Sequence, residues 1–367
     1  MEGAGDIADF IIPYSAGVFT AVLGQAAFAS IILPAASISS ALAAISLTIM
    51  LLQFRRGFNT PMIRGLIAIA GLSTGMMCGL TGIMNSWCDI DEPGMLTEAA
   101  HSFCMRLETA ISSIPFDSGE APGIIKALLT GNRDSLTAEI TGAFRSSGAA
   151  HILALSGLHL GIIYGVLSKI LCIAGNSQAA RLIRSALTIA ACGFYTLATG
   201  AGASITRAYL FILLHEVGKL TGRSHSIGTV LAAALLIQLT ADPTSAAGAG
   251  FQLSYAAMAG IAFIYPHLKG MWPKEATGFP VWIWRSAAMS ISCQLTTGPI
   301  AYLYFGTFPH YFLLTNMIAL PLTGVIIPAS LAVVALHMLG ICPDVLIKSL
   351  EGIIVILTDA LEIISTM

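Results

Sequence analysis

Apolar and polar positions separate along this chain into blocks. Windows of about 20 mostly apolar residues recur near 11–31, 34–54, 64–84, 150–173, 182–200, 204–220, 226–241, 246–266, 281–303, 311–338 and 345–365. The pattern predicts an all-α polytopic membrane protein with about 10–11 transmembrane helices. The last window holds Glu351, Asp359 and Glu362 and suits the membrane interface as well as its interior. Pro321, Gly324 and Pro328 interrupt the backbone ladder of 311–338. At membrane depth such a break is tolerated only against neighbouring helices or cavity water. Broken or re-entrant helices around a polar cavity are therefore expected.

Basic residues orient the spans. Arg55, Arg56 and Arg64, then Arg181 and Arg184, Lys219 and Arg223, and Lys269, Lys274 and Arg285 fall in alternate connections. All lie on one side if each span crosses once, and that side is assigned to the cytoplasm. Segment 85–149 then lies outside. It carries nine acidic residues (Asp89, Asp91, Glu92, Glu98, Glu108, Asp117, Glu120, Asp134, Glu139) against four basic ones. Helical spacing over 96–114 and 123–129, and a capped amphipathic pattern from Asp134, predict short helices on the outer rim. The chain divides into an N-terminal three-helix membrane segment (1–84), extracytoplasmic interfacial helices (85–149) and a channel-type core (150–367).

Composition narrows the class. Of 367 residues, 56% are hydrophobic and 10% charged, and mean hydropathy is +0.83; soluble globular chains carry roughly 25% charged residues. A net charge of −2 excludes a whole-chain electrostatic trap for nucleic acid. The opening MEGAGDIADF lacks the basic stretch of a cleavable signal peptide. Of seven cysteines, Cys78, Cys172, Cys192, Cys293 and Cys342 sit in or beside apolar spans as small buried residues, while Cys88 and Cys104 share the polar segment and are placed to pair if it faces an oxidising space.

Polar residues inside the apolar blocks carry the candidate chemistry. AAHILALSGLHLGII (149–163) holds His151, Ser156 and His159. Taken as one helix, it places the two histidines about 80° apart and Ser156 on the face of His159. Arg207 follows the turn GAGAS in GAGASITRAYLF; it either snorkels to the surface or offers an anionic substrate a cation near the outer mouth. Gln252, Gln294 and Asn316 serve either as glue between helices or as lining of a wet path. No HExxH, CxxC, Walker loop or HxHxD signature occurs, so no metal or cofactor is expected.

Several ordered motifs resemble the ComEC competence proteins, the inner-membrane channels for DNA uptake in bacterial transformation. They are ALLTGNRDSL (127–136), FRSSGAAHILALSGLHLG (144–161), the small-residue turn before Arg207 and Ala208, DP (242–243) with GFQLSYAAMAG, QLTTGPIAYLYFGTF, and TNMIALPL (315–322). Full-length members usually add an OB-fold domain and a metallo-β-lactamase-like domain. Segment 85–149 is too short and too acidic for the first, and no histidine/aspartate cluster marks the second. Strand degradation and DNA capture belong to those parts. The resemblance implies single-stranded DNA as cargo, a multi-pass inner-membrane location, an extracytoplasmic DNA receptor and a cytosolic helicase as partners, and leaves a homo-oligomer open.

The resulting reading is a non-enzymatic channel core for single-stranded DNA, lined by His151, Ser156, His159, Arg207, Gln252, Gln294 and Asn316. Two alternatives stand beside it: an intramembrane hydrolase using Ser156 with His151, His159 or His310, and a diverged transporter of small solutes or lipids.

Overall fold

A computed structural model describes residues 2–24, 38–39, 41–43, 45, 60–86, 94–174, 177–222, 226–271, 278–306 and 308–366. Most of the second apolar window, together with Arg55, Arg56, Cys88, Asp89, Asp91, Glu92, Arg223 and Lys274, lies outside the described residues. Among the described residues every regular element is helical. They form two compact units, 1–92 with 225–255, and 93–224 with 256–367. This division by packing runs across the three sequence segments, which were drawn by side of the membrane.

The first unit contains α1 (Glu2–Leu23) and α2 (Thr60–Ser86). They run parallel at very close approach. A methyl group at Gly71 would sit 2.6 Å from the Phe10 carbonyl oxygen, one at Gly79 would sit 2.7 Å from the Ala21 methyl, and one at Gly75 would land on the Tyr14 carbonyl. Glycines four apart let two backbones meet where any side chain would hold them apart. Helix α10 (Ile227–Ala241) joins this pair. The Thr240 hydroxyl donates to the Leu236 carbonyl and accepts from the Tyr14 hydroxyl, at 2.8 Å. Asp242 caps the 3-10 turn Pro243–Ala247 by accepting from the Thr244 and Ser245 amides.

The second unit has two parts. One is a shared core of α3 (Met95–Ser113), α4 (Ala121–Thr130), α5 (Ala138–Ser146), the four-residue α6 (Ala150–Leu153), α14 (Phe312–Met338) and α15 (Asp344–Ser365). Ile124, Ile125, Leu128, Phe144, Ile326, Leu357 and Leu361 are buried in it. At about 1.5–3 kcal/mol per buried large apolar side chain, burial outweighs the roughly 3 kcal/mol that a proline costs inside a helix. Helix α14 accordingly runs unbroken through Pro321 and Pro328, where an interruption was expected. The amphipathic helices of 95–146 pack against α14 and α15 and form no separate unit.

The other part is a three-helix arrangement of α7 (Gly157–Leu171), α8 (Gln178–Ala198) and α9 (Ala203–Thr221). Contacts of Gly157 with Ala208 and of Tyr164 with Glu216 make α7 and α9 parallel. Contacts of Ser185 with Glu216 and of Gly193 with Tyr209 make α8 antiparallel to both. Gly200 (φ +82°) and Ala201 (φ +48°) supply the left-handed backbone that reverses α8 into α9. Lys169, Arg181, Arg184 and Lys219 therefore lie at one end of this bundle. Further along, α11 (Ala249–Ala259) continues through a π-helical turn, Gly260–Ile264, into α12 (Tyr265–Gly270), which packs on α13 (Phe279–Phe305).

Among the described residues one helix, Phe312–Met338, is long and apolar enough to cross a membrane by length and composition. Windows 150–173 and 246–266 run across breaks, whereas α2, α8, α9 and α13 are longer than the windows that predicted them. Window 150–173 splits at 154–156, leaving α7 about 22 Å long against a hydrocarbon core of about 30 Å.

Glu351 explains one acidic residue of the last window. It is buried, and its carboxylate accepts the Asp117 amide at 3.3 Å and the Ser118 amide, tying α15 to the loop before α4. Removing it strands two backbone donors. Glu351→Ala is expected to cost about 1–3 kcal/mol, read as a lower thermal midpoint in detergent, with Glu351→Gln losing less. A midpoint equal to wild type in Glu351→Ala would remove this role.

Candidate functional site

The chain stops being helical at Ala154–Ser156, between α6 and α7. Four consecutive residues, Thr130 to Arg133, hold that interruption in place. Glu108 on α3 accepts from the Thr130 hydroxyl at 2.9 Å and from the Asn132 amide group at 3.0 Å, which fixes the turn after α4. Gly131 adopts φ +80° and ends α4, and a methyl group there would sit 2.6 Å from Leu155 Cδ1. Its missing side chain is the seat of Leu155. Arg133 Nε donates to the Leu153 carbonyl, the end of α6, at 3.1 Å. The Tyr195 hydroxyl donates to the Leu129 carbonyl at 2.6 Å, bringing α8 to the same turn. Upstream, the Thr315 hydroxyl donates to the Ser147 carbonyl at 2.7 Å, and Gly148 packs against Pro309.

Four of the seven predicted residues gather here. His151 is exposed on α6 and donates from Nδ1 to the Gly148 carbonyl at 3.1 Å. Ser156 is the N-cap of α7, its hydroxyl oxygen accepting from the Leu158 amide at 3.3 Å. His159 Nδ1 accepts from the Ser156 amide at 3.2 Å and lies 3.1 Å from the Ser156 hydroxyl, a reciprocal capping box. Because Nδ1 accepts an N–H bond, the ring proton is assigned to the buried Nε2. His151 stands five residues before Ser156, on the short helix that ends at the break. The single-helix geometry expected for 150–163 does not hold: Ser156 and His159 meet as a cap, and His151 sits on a separate helix.

Arg207 reaches this break from α9. It is 5% exposed, and a methyl group at Gly157 would lie 3.8 Å from its Nη2. Neighbouring groups engage the side chain within the fold. A guanidinium beside the first turn of α7 adds positive charge to a helix N-terminus that is already electropositive. The corner thus presents Arg207, Ser156, His159 and His151 around interrupted backbone, chemistry suited to a passing anion.

The other three lie elsewhere. Gln294 lines an open cavity of about 530 Å³ with Ile291, Leu295, Gly298, Pro299, Tyr302, Phe308 and Phe312. Asn316 follows Phe312 by one turn of α14, with Oδ1 buried. Gln252 belongs to the first compact unit, where its Nε2 donates to the Ala246 carbonyl at 2.9 Å and closes the turn before α11. The Cys88–Cys104 pairing falls partly outside the described residues; Cys104 Sγ lies 4.0 Å from Glu108 Oε1. Burial, and then the nearby Glu108 carboxylate, push the Cys104 thiol above its usual pKa.

A second polar cluster was missed. Glu216 is buried on α9 and accepts from Tyr164 (2.6 Å), Ser185 (2.6 Å) and Lys219 (2.8 Å), joining all three helices. Its signal was present, since a carboxylate three residues before a lysine in an apolar window needs a partner. Between it and the Arg207 corner, about 10–12 Å along the parallel pair, Leu160, Cys192 and Ile212 are buried together, in an apolar cluster that Ile205 continues beyond Arg207. Arg133 was also passed over as one basic residue in an acidic segment.

Residues 128–367 match the family described as Competence protein. The chain is 29% identical over 226 residues to ComE operon protein 3 of Bacillus subtilis (strain 168), covering 61% of this chain and 27% of that protein. It is 26% identical over 247 residues to the uncharacterized protein YcaI of Escherichia coli (strain K12), covering 65% of this chain and 31% of that protein. The matches thus span less than a third of the length of these two curated relatives. No solved structure matches.

If Ser156 is a cap, its replacement follows capping preference. Ser156→Ala is expected to cost about 1 kcal/mol of stability while Ser156→Asn, an equally good cap, costs little. Thermal midpoints of the two variants in detergent check this; a common midpoint for both would remove the capping role.

Proposed function

The chain belongs to the Competence protein family, and on that premise we propose that it is the membrane-embedded core through which single-stranded DNA enters a bacterial cell during transformation. The observation that carries this reading is the corner at 154–156. There Arg207, Ser156, His159 and His151, from three separate elements of the matched region, converge on interrupted backbone.

Three features support a multi-pass membrane setting. Large apolar side chains stay exposed along the helices, among them Ile183 and Leu187 on α8, Leu295 and Leu303 on α13, and Val325 on α14. Lipid accommodates such a surface, and water does not. α1 and α2 run parallel, as first and third crossings of an alternating chain would, and α7, α8 and α9 alternate in direction. The basic end of that bundle suits the cytoplasmic face, which puts the Arg207 corner toward the outer one. A conduit for a phosphate polymer needs few cations, because every tight phosphate contact opposes movement. For the hydrolase alternative the geometry offers the 3.1 Å approach of the Ser156 hydroxyl to His159 Nδ1, but that nitrogen already accepts the Ser156 amide and the hydroxyl oxygen caps α7.

Arg207 tests the reading. Arg207→Lys keeps the charge and loses the planar fork, while Arg207→Gln removes the charge. Uptake of labelled DNA in a transformable host, normalised to membrane protein, should persist in part with lysine and be mostly lost with glutamine. Equal normalised uptake in wild type and Arg207→Gln would remove Arg207 from the site, and wild-type transformation after deletion of the whole chain would end the reading itself.

A further inference from the structure

Arg133 uses one edge of its guanidinium and leaves the other. Nε donates to the Leu153 carbonyl at 3.1 Å, and the residue is otherwise exposed. The backbone amide of its neighbour Asp134 donates to Asn132 Oδ1. Among the described residues Arg133 makes no ion pair, although it stands in the most acidic stretch of the chain.

A guanidinium carries five donors in one plane. Tying Nε to a fixed carbonyl orients that plane, and the Nη1/Nη2 edge is left as a fork matched to two oxygens of a phosphate. Less rotamer freedom is lost on binding than for a loose surface arginine. The tie is also informative in position. Leu153 ends α6, Gly157 begins α7 beside Arg207, and the four residue steps from one to the other span at most about 14 Å of chain. Two guanidiniums therefore flank the same interruption, one exposed and one buried.

The geometry points to Arg133 as an outer phosphodiester-binding residue, which meets the backbone of a single strand before Arg207 does. This rests on the single-stranded DNA reading and names a contact that reading lacks. A lipid phosphate offers the same chemistry, and a phosphatidylglycerol arm of the experiment separates the two sources.

Binding of a fluorescent oligothymidylate to the full chain in neutral detergent, over a range of salt concentrations, tests it. Each phosphate neutralised on a single strand contributes about 0.7 to the slope of log affinity against log salt. Arg133→Gln should make the slope shallower by about 0.7. Arg145→Gln, at an exposed arginine of α5, should leave it unchanged. Arg133→Lys should keep the slope and lose about tenfold in affinity with the fork; it carries the test alone if the glutamine variant does not fold. An Arg133→Gln slope equal to wild type overturns the proposal. So does an equal effect of Arg145→Gln, or a lysine variant that binds like wild type. A fourth overturning result is unchanged oligothymidylate binding by Arg133→Gln with reduced retention of phosphatidylglycerol. Failure of the wild-type chain to bind oligothymidylate would instead defeat the DNA reading.

Discussion

A helix that stops and restarts in an apolar setting strands carbonyls at one end and amides at the next, and each costs about 1–3 kcal/mol if buried without a partner. The corner at 154–156 exists because each stranded group nearby is met by a residue chosen for the task. Arg133 takes the Leu153 carbonyl, Ser156 takes the Leu158 amide and His159 takes the Ser156 amide. Those residues are themselves held, since Glu108 fixes the turn that carries Arg133 and Leu155 fills the space that Gly131 leaves open. The two stretches 127–136 and 144–161 are thus halves of one device, and neither half has a purpose alone.

How much of this was legible depends on what each signal measures. Helical class follows from apolar block length and survives in every described element. Ser156 and His159 were rightly picked out as polar groups in apolar surroundings, but for the wrong geometry, because spacing in sequence does not reveal where a helix ends. Pro321 and Pro328 erred in the other direction: a local rule predicted interruption, and the packing of Ala319, Ile326 and Val333 overrode it. Gly71, Gly75 and Gly79 spelled a close helix contact in plain spacing and were passed over in favour of charge. The seat of Leu155 on Gly131 lay beyond any reading of periodicity, since it joins residues 24 apart through a single left-handed backbone angle.

The same logic gives acidic residues their places. Glu108, Glu216 and Glu351 each gather two or more hydrogen bonds from outside their own helix, so each works as a rivet between elements. Glu351 allows α15 to keep a carboxylate in a largely apolar helix. Glu216 does so for α9, at the end where the basic residues lie. Arg207 and Arg133 stand at the opposite end of the α7–α8–α9 bundle, so the two ends of this part of the molecule differ: a buried carboxylate paired with lysine at one, two arginines beside interrupted backbone at the other.

The layer of Leu160, Cys192, Ile205 and Ile212 gives that difference a further meaning. Within it Leu160 and Ile212 stand between the levels of Arg207 and Glu216. Packed side chains screen charge far less than water does. Across this layer the guanidinium and the carboxylate therefore attract one another more strongly than they would through solvent, and a change of charge at one end is felt at the other.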